Sequence, residues 1–170
     1  GIGLALAQGF ILAGARVVVA SRKADACEAA AEHLRGLGGQ ALGVPTHVGD
    51  PDSLAALVSA TVEEFGGVDV VVNNAANPLA QPIAALTPEA WEKSYSVNLQ
   101  GPVFLAKAAH PFLQQSDHAS VLNVISVGAI TSAVPSMTFR PSWLTHRHSS
   151  SRWWLCSKRW VQVMVTVRVS

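Results

Sequence analysis

Val68-Asp69-Val70-Val71-Val72-Asn73-Asn74-Ala75-Ala76 is the stretch on which the reading of the fold turns. Val68 to Val72 is a short apolar run that predicts a strand buried on both faces, as in a parallel sheet. The run stops at two asparagines and two alanines. Small and amide side chains at the carboxyl end of a buried strand suit a ligand crevice. The backbone there allows close approach, and Asn offers both donors and acceptors. A plain strand-to-loop turn is the simpler alternative when this stretch is taken alone.

Upstream, Gly1-Ile2-Gly3 runs into the apolar helix Leu4 to Ala13, and Gly14 stands where a left-handed helix stop is expected. Arg16 to Ala20 then reads as a buried strand. Glycines that open a helix feeding a hydrophobic strand form the second part of a dinucleotide-binding βαβ unit, in which pyrophosphate approaches the helix N-terminus. The sequence starts at these glycines, so the sheet is expected to lack its first strand. Ser21-Arg22-Lys23 follows the Arg16 strand with no acid to bond a ribose 2′-hydroxyl. Two cations there favour a 2′-phosphate, hence NADP, with a solvated basic turn as the plainer alternative.

Ala24 to Leu37 predicts an Ala-rich helix with Cys27, Ala30, Ala31 and Leu34 on its inner face, Cys27 being a small core residue. Ala41 to Val44 is a short strand. Asp50 caps the next helix, with Pro51 at its first position, a buried stripe of Leu54, Leu57, Val58, Thr61 and Phe65, and Gly66-Gly67 ending it. Beyond the asparagines, Thr87-Pro88-Glu89 opens a helical segment that runs past Asn98 towards Phe112. Asn98 is expected on a largely buried helix, with Gly101-Pro102 disturbing the backbone hydrogen bonding nearby. Val121 to Ile125 predicts another buried strand, which leaves Ser126 on the same edge as Asn73. Strands alternating with helices of similar length give an α/β fold, a doubly wound parallel sheet with right-handed crossovers.

The chain has 170 residues, 49% of them hydrophobic and 14% charged, enough for one domain with a sizeable core. Its net charge of +1 hides an asymmetry. Residues 1–139 hold all 11 acids against 6 Lys/Arg, a net of −5, whereas residues 140–170 hold 6 Lys/Arg and no acid. Two cysteines, Cys27 and Cys156, fit a reducing compartment rather than a disulfide framework. The apolar opening, Ile2 to Ala20, lacks a basic leader and is broken by Gly14-Ala15-Arg16, so it reads as neither signal peptide nor membrane span. A cytoplasmic protein is the expectation.

Gly1-Ile2-Gly3, Asn73-Asn74-Ala75-Ala76, Val97-Asn98 and Ile125-Ser126, in this order, resemble successive landmarks of the short-chain dehydrogenase/reductase family over about residues 1–138. The resemblance implies a Rossmann-like fold, NADP as cofactor with NAD as the alternative, and hydride transfer between nicotinamide and a small-molecule carbonyl or alcohol. It implies that Gly1, Ile2 and Gly3 match the end of the family's glycine loop, and that Ser21 and Arg22 meet the adenosine ribose. His47 and Val48 fall where the family often has Asp-Val near the adenine. Asn73 to Ala76 match Asn-Asn-Ala-Gly, so Asn73 and Ala75 line the cofactor site. Ser126 matches the serine that bonds the substrate oxygen, and Asn98 the asparagine that supports the proton relay. Family members are commonly homo-oligomers through their long helices.

The pattern then fails. The family's Tyr-x-x-x-Lys follows the serine, with Tyr as general acid and Lys beside it; here that window holds Phe139 and Arg140, the chain's one tyrosine is Tyr95, and the one later lysine is Lys158. Loss of a general acid typically forfeits about 10²–10⁴-fold in rate. Residues 139–170 form an atypical basic tail with four of the five tryptophans. Its first reading is a reading-frame change near residues 138–140. A one-base shift through the alternating valines of Val161 to Val169 yields, with suitable third bases, a Gly-rich Gly-x-Arg-Val segment like the family's. The rival is a genuine tail that binds nucleic acid or an anionic membrane, but no periodicity organises residues 140–160, so neither partner is expected. Val161 to Val169 alone alternates, as an edge strand would. The expectation is an oxidoreductase impaired by the missing motif, or else a non-catalytic nucleotide-binding or dimerisation fragment. Oligomerisation is doubtful without the family's later helix, and exposed core surface beside the absent strand predicts poor solubility.

Overall fold

Valines at alternate positions of one short strand face opposite ways, and here each set meets a different pair of helices. The computed structural model describes residues 1–79, 81–126 and 164–168. Strand β1 (Arg16–Ser21) turns Val17 and Val19 towards helices α1 (Ile2–Leu12) and α2 (Ala24–Gly36), where Ala7, Ile11, Ala31 and Leu34 close the layer. Val18 and Ala20 face α3 (Pro51–Phe65) and α5 (Gly101–Leu113), packing with Leu54, Leu57, Val58 and Leu105. Strand β3 (Val70–Asn73) divides likewise, Val72 to the first layer and Val71 to the second. Each such side chain taken fully from water stabilises the fold by about 1.5–3 kcal/mol before entropy is charged against it.

The helices start and stop where side-chain chemistry dictates. Gly14, Gly38 and Gly66 follow α1, α2 and α3 with φ of 88°, 87° and 80°, a region closed to most residues with a Cβ. Asp50 accepts from the Asp52 amide at 3.1 Å to cap α3, with Pro51 in its first turn. Thr87 accepts from the Ala90 amide at 3.2 Å to cap α4 (Pro88–Tyr95). The buried stripes of α2 and α3 are the expected ones. Between α4 and α5 the chain passes through a π-helical turn, Ser96–Gln100, the backbone disturbance anticipated before Gly101-Pro102.

With β2 (Ala41–Pro45), β4 (Ser120–Asn123) and β5 (Met164–Arg168), the sheet order is β2-β1-β5-β3-β4. The β1–β2 and β3–β4 pairs are parallel. The alternating valine segment of the tail is not an edge strand. Its Met164–Arg168 portion lies at the centre of the sheet, antiparallel to both neighbours, with Thr166 opposite Val18 on one side and Val71 on the other. The reason is geometric: β1 and β3 each present an unpaired apolar edge to the gap between them, and an extended segment satisfies both. The expected exposure of core surface along that gap does not arise, since Val17, Val18, Val19, Val71 and Val72 are all fully buried.

Two further expectations are corrected. The predicted strand Val121 to Ile125 is observed as Ser120–Asn123 and is exposed throughout, with Ile125 beyond it 72% exposed. It ends the sheet and, among the described residues, pairs only with β3. Asn98 lies exposed in a π-helical turn that buries none of its residues, where a largely buried helix was expected. Phe139, Arg140 and the tail tryptophans lie outside the described residues.

Helix and strand approach closely at Gly43 in β2, where a Cβ would stand 2.7 Å from the Cys27 carbonyl carbon and oxygen of α2. Backbone on both sides leaves nothing that rotates away. Gly43→Ala is expected to lower stability by about 1–3 kcal/mol, read as an earlier urea midpoint at unchanged slope.

Candidate nucleotide site at the carboxyl edge of the sheet

Four parallel strands end on one edge, and the residues singled out from sequence gather there. Ser21 is the last residue of β1 and is buried; Arg22 and Lys23 after it are exposed. The Lys23 amide donates to Ser21 Oγ at 3.4 Å. Thr46, after β2, is buried, its amide donating to the Ser21 carbonyl at 2.8 Å, while His47 is exposed and Val48 buried. Asn73 ends β3 and Asn123 ends β4, and Ser126 follows exposed. Helix α1 returns to the start of β1 through Ala13–Ala15, so its C-terminus stands at the amino edge and its Gly1 end at the carboxyl edge. Helix starts present backbone amides that suit an anion.

Asn73 is the buried polar centre of this edge. Its Nδ2 donates to Asn123 Oδ1 at 2.8 Å, and its carbonyl accepts the Val124 amide at 2.9 Å. Its Oδ1 is buried with no partner among the described residues. Exchanging O and N in both amides together would pair Asn73 Oδ1 with Asn123 Nδ2 and leave Asn73 Nδ2 unpaired, so either assignment leaves one polar atom of Asn73 without a partner among the described residues.

Asn98 acts on backbone. Its Oδ1 accepts the Asn77 amide at 2.7 Å, and its Nδ2 donates to the Asn77 carbonyl at 2.8 Å and to Ser94 Oγ at 3.0 Å. Ser94 Oγ in turn donates to the Asn77 carbonyl at 3.1 Å. A side-chain amide thus mimics a strand partner and pins the loop leaving β3 to the turn between α4 and α5. That turn is also pressed onto the loop after β2: a Cβ at Gly101 would lie 2.5 Å from the Val48 carbonyl, and one at Gly49 3.0 Å from Ser96 Oγ. Asn77, Ser94, Gly49 and Gly101 are therefore positioning residues that sequence reasoning missed. The one available signal was the glycines flanking His47-Val48 and Val97-Asn98. A shallow cleft near Ile11, Gly14, Arg16 and Gly39 lies at the opposite, amino edge, away from these groups.

Comparison with known proteins accords with this geometry. A short chain dehydrogenase family model matches residues 1–138. The chain belongs to that family. It is 37% identical over 142 residues to human dehydrogenase/reductase SDR family member 4, covering 83% of this chain and 50% of that protein. It is 38% identical over 128 residues to galactitol 2-dehydrogenase of Agrobacterium fabrum, covering 74% of this chain and 48% of that one. Among solved structures it resembles L-sorbose reductase from Gluconobacter frateurii, complexed with NADPH and L-sorbose, with a TM-score of 0.74 and 30% identity over 76% of this chain and 50% of that one. The chain thus spans about half the length of these relatives. The short-chain dehydrogenase fold places the carboxyl edge described above where ligands bind in open α/β sheets. No helix among the described residues is long and apolar enough to cross a membrane.

Beneath this edge, Cys27 Sγ donates to the Ser21 and Val44 carbonyls at 3.3 and 3.5 Å. Burial pushes its thiol pKa up. The unfolded chain therefore ionises first as pH rises through the free-thiol range near about 8.5, and stability falls from there until the folded thiol also titrates. Cys27→Ala is expected to remove that alkaline loss, seen as a flatter dependence of the urea midpoint between pH 8 and 10.

The Asn98 clamp makes a separate prediction. Asn98→Asp keeps the acceptor for the Asn77 amide and loses the donors, whereas Asn98→Ala loses both. Exchange of the Asn77 amide with deuterium should accelerate by at least about tenfold in the Ala variant and less in the Asp variant, each lost bond contributing about 0.5–1.5 kcal/mol.

Proposed function

We propose that this chain binds NADP(H) at the carboxyl edge, and that in its family setting this site serves hydride transfer between nicotinamide and a carbonyl or alcohol carbon. The observation that carries the proposal is the convergence of the start of α1, the exposed Arg22-Lys23 pair after β1 with no acid at the strand's end, and the buried Asn73, whose Oδ1 has no partner among the described residues, all on one edge. When bound, the nicotinamide ring gives or accepts the hydride. Gly1, Ile2 and Gly3 present helix-start amides to the pyrophosphate. Arg22 pairs with the 2′-phosphate beside Ser21, and NAD, lacking that phosphate, binds more weakly. His47 and Val48 flank the adenine, while Asn73 and Ala75 line the middle of the site. Ser126 hydrogen-bonds the substrate oxygen, and Asn98 holds the Asn77 loop that borders it.

The NADPH-bound L-sorbose reductase and the galactitol 2-dehydrogenase support a polyol or sugar ketone as the substrate class. Turnover by this chain is low, because neither Phe139 nor Arg140 transfers the proton that Tyr-x-x-x-Lys handles in the family. Where turnover is absent altogether, nucleotide binding and pairing of copies are what remains. Trp91, Tyr95, Leu99 and Val103, exposed along the α4–α5 segment, form the apolar row through which two copies would meet. A cytoplasmic setting accords with the free Cys27 thiol.

The decisive test is calorimetric titration with NADPH and NADH, alongside NADPH consumption with a panel of sugar ketones. NADPH is expected to bind more tightly than NADH, with consumption at least about 10²-fold below that of an intact reductase. Arg22→Glu should weaken NADPH roughly tenfold and leave NADH little changed, in line with loss of a charge-assisted bond. Failure to bind either nucleotide would sink the proposal, and brisk turnover would sink its impairment.

A further inference from the structure

The loops after β2 and β3 meet through one hydroxyl and one carbonyl. The Lys93 carbonyl, in the last turn of α4, accepts Asn77 Nδ2 at 3.3 Å and Ser96 Oγ at 3.2 Å. Ser96 in turn abuts the loop after β2: a Cβ at Gly49 would lie 3.0 Å from its Oγ and 3.2 Å from its Cβ. The same Cβ would stand 3.3 Å from His47 Cε1. That loop is closed on itself. The Asp50 amide donates to the His47 carbonyl at 3.0 Å, and the His47 amide donates to Ser53 Oγ at 2.9 Å, so His47 to Asp50 is held as one turn. Contact is therefore continuous from His47 through Gly49, Ser96 and the Lys93 carbonyl to Asn77, whose backbone Asn98 clamps.

From this continuity we infer that Ser96 is a positioning residue that couples the two sides of the site. A nucleotide held at His47 and Val48 steadies the Asn77 loop, and a steadied Asn77 loop strengthens nucleotide binding. The physical reason is shared freedom. Ser96 is half-buried, and its hydroxyl keeps to the Lys93 carbonyl in the space that Gly49 leaves it. A ligand that fixes the His47 turn therefore fixes Ser96, and part of the freedom that Asn77 must lose to stay clamped is already lost. By linkage the effect is equal in both directions. The π-helical turn that carries Ser96 is the adjustable part, because such turns interrupt the regular hydrogen bonding of a helix. The inference rests on the nucleotide-binding reading above. It adds a route from the adenine side to the substrate side that needs no contact between nucleotide and Asn77.

The test reads exchange of the Asn77 amide with deuterium in the full chain, free and with saturating NADPH. In the unaltered chain NADPH is expected to slow that exchange about tenfold. Ser96→Ala deletes the hydroxyl, and there the slowing should shrink to about twofold, with NADPH affinity roughly fivefold lower. Gly49→Ala, which crowds Ser96 from the other side, should reduce the slowing likewise. Comparing free and bound rates within each variant removes any general loosening that the substitution causes. If nucleotide protects Asn77 by direct contact instead, Ser96→Ala leaves the slowing at full size, and the coupling through Ser96 is overturned. Equal exchange with and without NADPH in the unaltered chain, with binding seen by calorimetry, would overturn the coupling while leaving the nucleotide reading intact. Absence of NADPH binding to the unaltered chain would overturn the nucleotide reading, and this inference with it.

Discussion

The structure depends on one backbone ladder. Strands β1 and β3 hold the apolar residues of both core layers, yet they do not bond to each other; Thr166 stands between Val18 and Val71, and β5 connects them. Around it, β2, α1 and α2 group mainly with β1, and β4 and the α4–α5 segment mainly with β3, while both core layers span the two halves. Helix α3 is the further link, since its Leu54, Leu57 and Val58 pack with Val18 and Val71 alike. The sheet is thus two parallel pairs joined by an antiparallel strand and sealed by a helix. Antiparallel pairing at the centre of an otherwise parallel sheet is unusual. It is satisfied here because an alternating Val-x-Val segment meets the ladder requirement in either direction.

That ladder also fixes where polar groups must be resolved. A buried strand end has to discharge its backbone and side-chain hydrogen bonds within a few ångströms, and Asn73 does so only in part, through Asn123 and the Val124 amide. The loop leaving β3 then has no strand partner. Asn98 supplies one, using an acceptor and a donor on a single amide to bind both backbone groups of Asn77. The π-helical turn is what makes this reach available, because a regular helix from Pro88 to Leu113 would rotate the side chain at 98 differently against that loop. Gly101 then permits the following helix to settle onto Val48. The loops after β2 and β3 are in this way both held by one turn.

Much of this was legible in the sequence because the deciding signals are local. Three valines ending in two asparagines, an Asp-Pro or Thr-Pro helix start and a glycine at a left-handed stop each act within a few residues of themselves. Helix stripes such as Leu54, Leu57, Val58, Thr61 and Phe65 were readable for the same reason. What escaped was non-local. Alternation in Val161 to Val169 announces a strand but not its neighbours, and an edge assignment assumed that the gap beside β1 stays open. The apolar Val121 to Ile125 run implied burial, yet burial needs a second partner that β4 lacks among the described residues. Asn98 was identified by its place in a motif, whereas its hydrogen bonds depend on a loop twenty-one positions earlier in the chain.

The same locality sets family membership apart from the impairment proposed for this chain. Recognition rests on residues 1–138, where glycine loop, Asn-Asn segment, helix asparagine and serine retain their order. In the proposed function those residues bind and orient. Proton transfer needs a further acid–base pair brought to within hydrogen-bond reach of the substrate oxygen, and that requirement is met by residue identity at fixed positions, not by fold. A sheet can accept a substitute strand because its ladder reads backbone. A proton relay cannot accept Phe139 for a phenol or Arg140 for an amine of tunable pKa, since one has no proton to give and the other does not release its own. On the proposed function, the nucleotide-binding half of the chemistry is therefore the part that would tolerate a change in the tail, and the catalytic half is the part that would not.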